Sequence, residues 1–170
     1  MKTMGEDPKA ALLRRIRMWL VLFIVGLLLS GLTAFPLQHE LGWLTRALGV
    51  AQLPPASEPA LHTWLRRVYD ALADTNSRYP FLAYGTDWLA FAHLVIAVVF
   101  IGPFRDPVRN KWVLTFGVIA CAGVLPLAFI AGPLRGIPFY WRLIDSSFGV
   151  FGAIPLLLCL GYVRRLEQLA

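Results

Sequence analysis

Charge is what this 170-residue chain has least of: Asp, Glu, Lys and Arg together make up 15% of it, against about 25% in a soluble globular domain. A small globule has a large surface for its volume, and so little charge cannot cover it, which excludes an ordinary water-soluble domain. Cysteine is nearly missing as well. Cys121 and Cys159 are the two that occur, and both lie inside apolar runs, which excludes a disulfide scaffold. Lysine is confined to Lys2, Lys9 and Lys111. Disorder is excluded from the opposite side, because hydrophobic residues reach 58% and disordered chains are poor in them.

What is present is apolar sequence in long blocks. Met18–Leu37, Trp88–Phe104, Trp112–Leu134 and Ser146–Val163 contain no Asp, Glu, Lys or Arg. Crossing a bilayer takes about 17–25 residues as a helix. Transmembrane β-barrel strands would alternate in polarity, whereas these runs are continuous, and in lipid the other solution that satisfies every backbone group is the helix. The expected fold is an all-α integral membrane protein: one transmembrane domain over 1–170 with spans at about 18–37, 86–104, 111–133 and 145–163. An antiparallel four-helix bundle with an extracytoplasmic helical insertion over 38–85 follows from that order. The basic leader of the first span raises a cleaved signal peptide, but the apolar run is long and Thr33-Ala34-Phe35 is a poor cleavage site. A retained anchor is expected.

The charges sort under one topology. The N-terminal tail, the Arg105–Lys111 loop and the C-terminal tail hold ten basic residues (Lys2, Lys9, Arg14, Arg15, Arg17, Arg105, Arg109, Lys111, Arg164, Arg165) against Glu6, Asp7, Asp106 and Glu167. The remaining segments balance six arginines with six carboxylates. The positive-inside rule then places both termini in the cytoplasm, as a multi-pass protein of the cell's inner (plasma) membrane. The basic face meets anionic headgroups, so the basic pI calls for no nucleic acid.

Two amphipathic helices are expected in the insertion. Leu37, Leu41, Leu44 and Leu48 repeat at helical spacing beside Trp43. After a Pro54-Pro55 break, Ser57-Glu58-Pro59 opens a second helix with the stripe Leu61, Leu65, Val68 and Leu72, ending near Thr75-Asn76-Ser77. Its His62 is expected on the polar, solvated side. Asp106-Pro107 reads as the cap and first turn of the third span, Gly132-Pro133 as its close, and Phe139-Tyr140-Trp141 as an interfacial aromatic belt. Pro126 and Pro155 are expected to loosen or kink their helices.

Membrane helices pack through small residues. Gly26, Ser30 and Thr33 or Ala34 form such a stripe in the first span, Thr86, Ala90, His93 and Ala97 in the second, and Asp145, Gly149 and Ala153 with Gly152 in the fourth. These stripes carry the candidate site, a polar intramembrane cluster of His93, Asp145, Asp87 and Arg142. An ionisable group at such depth marks proton, ion, quinone or cofactor sites, and an imidazole suits haem or a metal. The plainer reading of His93 is a neutral ring hydrogen-bonded to a neighbouring helix. Asp145 with Ser146-Ser147, and Thr86-Asp87, read first as helix caps, and Arg142 stands where it could pair with Asp145.

His39, beside Glu40 past Pro36, is the second cofactor candidate. Trp43 occupies the position where a zinc-protease pattern needs its second histidine. No phosphate loop, dinucleotide fingerprint or nucleophile elbow occurs. Claudin-like proteins and disulfide-forming membrane oxidoreductases share a four-span layout with the large loop first, but both depend on outer cysteines that this sequence lacks. The expected role is structural or accessory in complex assembly, without catalysis, as a homo-oligomer or within a larger membrane complex. The alternatives are a haem- or quinone-binding redox protein using His93, and a small transporter or channel.

Overall fold

The computed structural model describes residues 7–50 and 59–169. Lys2, Glu6, the Pro54-Pro55 break and Ser57-Glu58 lie outside the described residues. Those described are helical wherever they are regular, with no strand among them. Four helical stretches are long and apolar enough to cross a membrane: Pro8–Ala34, Pro80–Arg105, Lys111–Leu134 and Phe139–Gln168.

The helices outrun the charge-free blocks because long basic side chains do not interrupt backbone hydrogen bonding. Helix α1 (Pro8–Ala34) starts well before Met18. Asp7 opens it, accepting the Ala11 amide on its carbonyl and the Lys9 amide on Oδ1 at 3.0 Å. At the other end of the chain, α8 (Phe139–Gln168) follows Pro138, whose extended ψ of 147° places it at the N-cap. The Arg142 amide bonds the Pro138 carbonyl. Phe139-Tyr140-Trp141 are therefore the first turn of α8, and Asp145 sits well inside the helix. The expected cap role of Asp145 is thus incorrect: proline had already started the helix.

A similar displacement occurs before α6 (Lys111–Pro126). The Asp106 carboxylate accepts the Arg109 amide at 3.0 Å, but this closes a turn, and α6 begins only after Asn110. Asn110 Nδ2 ties that turn together by donating to the Gly102 and Asp106 carbonyls at 3.2 and 2.9 Å. Proline sets the interruptions. Pro103 has no amide for the Val99 carbonyl, and α4 (Tyr84–Val99) gives way there to α5 (Ile101–Arg105). Between Pro126 and Pro133 the chain widens into a π-turn, Leu127–Ala131, before α7 (Gly132–Leu134). Gly136, at φ +68°, then lets the Ile137 and Gly136 amides return to the Gly132 and Pro133 carbonyls, a Schellman closure.

Contacts divide the chain into two compact units. The first comprises residues up to Gly26 together with Ile96 onward. Its most extensive helix pair is α6 with α8, and glycines permit the approach. A Cβ on Gly117 would lie 2.6 Å from Leu156 Cδ1 and 2.7 Å from Phe100 Cζ, and one on Gly149 would lie 2.5 Å from the Cys121 carbonyl oxygen. Gly132 meets Arg142 in the same series. Advancing along α6 while retreating along α8, these contacts make the pair antiparallel. Helix α1 also runs antiparallel to α8: Cys159 Sγ reaches the Ile16 carbonyl at 3.6 Å, and Gly152 faces Phe23. Ile16, Leu20, Phe100, Leu114, Leu156, Cys159 and Val163 form the buried core, with the Phe23 and Phe100 rings 4.7 Å apart.

The second unit is Leu27–Val95. Its α2 (Leu37–Ala47) and α3 (Ala60–Arg78) lie antiparallel, joined by Asn76 Nδ2 to Gln38 Oε1 at 2.7 Å and by Arg66 donating to the Val50 carbonyl. Tyr69 rests on Gly42, where a Cβ would stand 3.1 Å from its ring. Leu65 is fully buried, while Val68 and Leu72 are half-buried. On α2 the leucine stripe divides, with Leu37 and Leu41 half-buried. Leu44 and Leu48 are exposed, because the close approach runs through Gly42. His62 is half-buried, with its Nδ1 enclosed and without a hydrogen-bond partner among the described residues. It lies one turn before Arg66, on the edge of α3 that packs toward Val50. In α1 the packing glycine is Gly31 in place of Gly26, since Gly31 abuts Ala90, His93 and Leu94 and Gly26 faces open space.

Candidate functional site

His93 occupies α4, whose small-residue face is the buried one: Ala90 and Ala97 are 0% and 2% exposed. The ring is half-buried, and its Cβ is 3.1 Å from where a Gly31 side chain would begin. Nδ1 lies 2.8 Å from the Leu89 carbonyl, one turn earlier on the same helix. A carbonyl can only accept, so Nδ1 is the donor in this contact, and in the neutral imidazole Nε2 is then the lone-pair nitrogen. Backbone bonding at one nitrogen is how proteins orient the other for a ligand; it is equally how a polar ring is satisfied on an apolar helix. The expected hydrogen bond to a neighbouring helix is replaced at Nδ1 by this bond within α4.

Asp87 is half-buried in the first turn of α4, where a carboxylate suits the helix dipole. Thr86 does not cap with its side chain, because its hydroxyl donates back to the Ala83 carbonyl at 2.6 Å. Trp88 stacks edge-on between Tyr84 and Phe91.

Arg142 and Asp145 belong to α8 in the other unit. The Arg142 stem lies over Gly132, where a Cβ would meet its Cδ at 2.6 Å, and its guanidinium stands 5.2 Å above the Phe139 ring. Nε is buried with no hydrogen-bond partner among the described residues. Drawn toward Gly132 and Phe139, the guanidinium forms no ion pair with Asp145 among the described residues, contrary to expectation. Asp145 remains half-buried, and next to it Ser146 is 6% exposed and donates to the Arg142 carbonyl at 2.7 Å. Arg142 over Gly132 was missed by the sequence reading. Its only forewarning was a glycine between two prolines facing a helix start.

His39 is exposed on α2 and, with Glu40 and Trp43, lines an open cleft of about 390 Å³. These three residues share one helical turn. Among the described residues no three His, Cys, Asp or Glu side chains gather where a metal could be held. The chain's two cysteines are free thiols: Cys159 is buried and Cys121 packs against Gly152. Comparison with known proteins found no matching family model, curated protein or solved structure.

Proposed function

We propose that the chain is a multi-pass membrane protein with a structural or assembly role in a larger complex or homo-oligomer. In this reading the four long helices cross the bilayer, the termini are cytoplasmic, and α2 and α3 lie outside. The observation that carries it is how little apolar surface the chain covers by itself. Only 17–28% of each long apolar window is buried, leaving Leu22, Leu29, Val98, Phe148 and Phe151 among many large exposed side chains. Lipid or other apolar helices are the surroundings that such surface requires. The antiparallel α1 and α8 support termini on one side, as the charge bias does.

A second reading, a redox protein with a haem or quinone beside His93, draws support from the lone pair left on Nε2. One experiment separates the two. Protein extracted in mild detergent is examined by light scattering, absorption spectroscopy and metal analysis. The assembly reading expects a colourless, metal-free particle holding more than one chain, or this chain with partners. A stoichiometric chromophore or metal lost in His93→Gln moves the redox reading ahead, and a bare monomer overturns the assembly role.

A further inference from the structure

Where α1 begins and α8 ends, a cleft of about 390 Å³ opens within the first unit. Ala11, Leu12 and Leu169 supply apolar wall, and Arg15, Arg165 and Gln168 supply polar groups. Arg14 and Arg164 adjoin it in sequence. Of the described carboxylates nearby, Glu167 holds Lys111 at 2.8 Å, and Asp7 accepts the Lys9 amide. Arg17, by contrast, turns away to the Phe104 carbonyl and ring. Arg15 and Arg165 thus line the same cleft from two different helices, together with apolar side chains.

We propose that this cleft binds the phosphate of an anionic phospholipid, with the first part of an acyl chain against Ala11, Leu12 and Leu169. Guanidinium groups suit phosphate because their planar donors match its oxygens two at a time. The volume falls in the usual range for small-ligand sites of about 300–1,000 Å³, enough for a headgroup and the start of a chain. The apolar wall favours a lipid over free phosphate, which would gain nothing from Leu12 or Leu169. The inference rests on the membrane-spanning reading, under which these helix ends stand at the bilayer surface.

The test uses the full chain in nonionic detergent, titrated with short-chain phosphatidylglycerol, phosphatidylcholine of equal chain length, and glycerol phosphate, with occupancy read by native mass spectrometry. Phosphatidylglycerol is expected to bind best. The Arg15→Gln/Arg165→Gln pair should weaken it roughly tenfold. Arg105→Gln/Arg109→Gln removes equal charge from exposed positions off the cleft and should change it less than about twofold. Circular dichroism confirms that both variants keep their helices, and if the first does not, Arg15→Lys/Arg165→Lys serves in its place, keeping charge while losing the paired donors. Equal weakening by the two glutamine pairs, equal binding of phosphatidylcholine, or equally tight glycerol phosphate overturns the site. Release of the chain from membranes by alkaline carbonate overturns the spanning reading instead, whereas a retained chain indifferent to Arg15 and Arg165 overturns this site alone.

Discussion

Replacing Gly149 by alanine tests whether α6 and α8 meet through backbone. The new Cβ would lie 2.5 Å from the Cys121 carbonyl oxygen and 3.0 Å from Val124 Cβ. Carbon–oxygen contacts between packed helices settle at about 3.3–3.6 Å, so α8 has to withdraw by about 1 Å. A gap of that order forfeits about a quarter to a half of the dispersion energy of each contact it opens, and overpacking of this kind costs about 1–3 kcal/mol. Alanine's helix propensity returns about 1 kcal/mol, for a net loss of up to about 2 kcal/mol. Two neighbours calibrate the result. At Gly152 the nearest atom is Cys121 Sγ at 3.1 Å, a side chain that can shift, so Gly152→Ala should be close to neutral. Gly161 has nothing within 4 Å, so Gly161→Ala should stabilise. Unfolding in mixed micelles, followed by circular dichroism, gives the order Gly161→Ala, Gly152→Ala, Gly149→Ala from most to least stable. A Gly149→Ala protein as stable as the parent refutes the backbone contact.

Leu65→Asp should destabilise the α2–α3 pair by at least about 1.5–3 kcal/mol, the value of burying a leucine side chain, while Leu61→Asp, already 39% exposed, should do far less; equal protease resistance in the two variants contradicts the packing. His93→Gln should keep the fold, since an amide can replace one hydrogen bond to the Leu89 carbonyl, whereas His93→Leu leaves that carbonyl without its side-chain donor. Thermal melts in detergent that rank the leucine variant at or above the glutamine one count against the tautomer assigned to His93.

The apolar helices were legible because their signal is long and continuous, and the Ala90–Ala97 and Gly149–Gly152 faces because small residues there recur at helical spacing. Helix α1 was harder. It is apolar nearly all round, so nothing in composition tells Gly26 from Gly31, and only the position of α4 does. On α2 hydrophobicity pointed to Leu44 and Leu48, yet the contact is set by Tyr69 needing the space that Gly42 leaves. The reading of Asp145 as a cap failed for a local reason. Charge-free windows stop at the first ionised residue, but a helix starts where the backbone allows, here directly after Pro138. Arg142 was placed near Asp145 by sequence distance, while its resting place over Gly132 depends on how the turn just before α8 folds back. No periodicity encodes that.

The central claim is that four helices cross a bilayer with both termini on one side. Single cysteines at Thr63 and at Asn110, in a chain whose Cys121 and Cys159 are replaced by alanine, report it through a membrane-impermeant maleimide applied to intact cells. The account predicts labelling at position 63 from outside, and at position 110 only after the membrane is opened. Labelling of position 110 in intact cells, or of both positions alike, contradicts it.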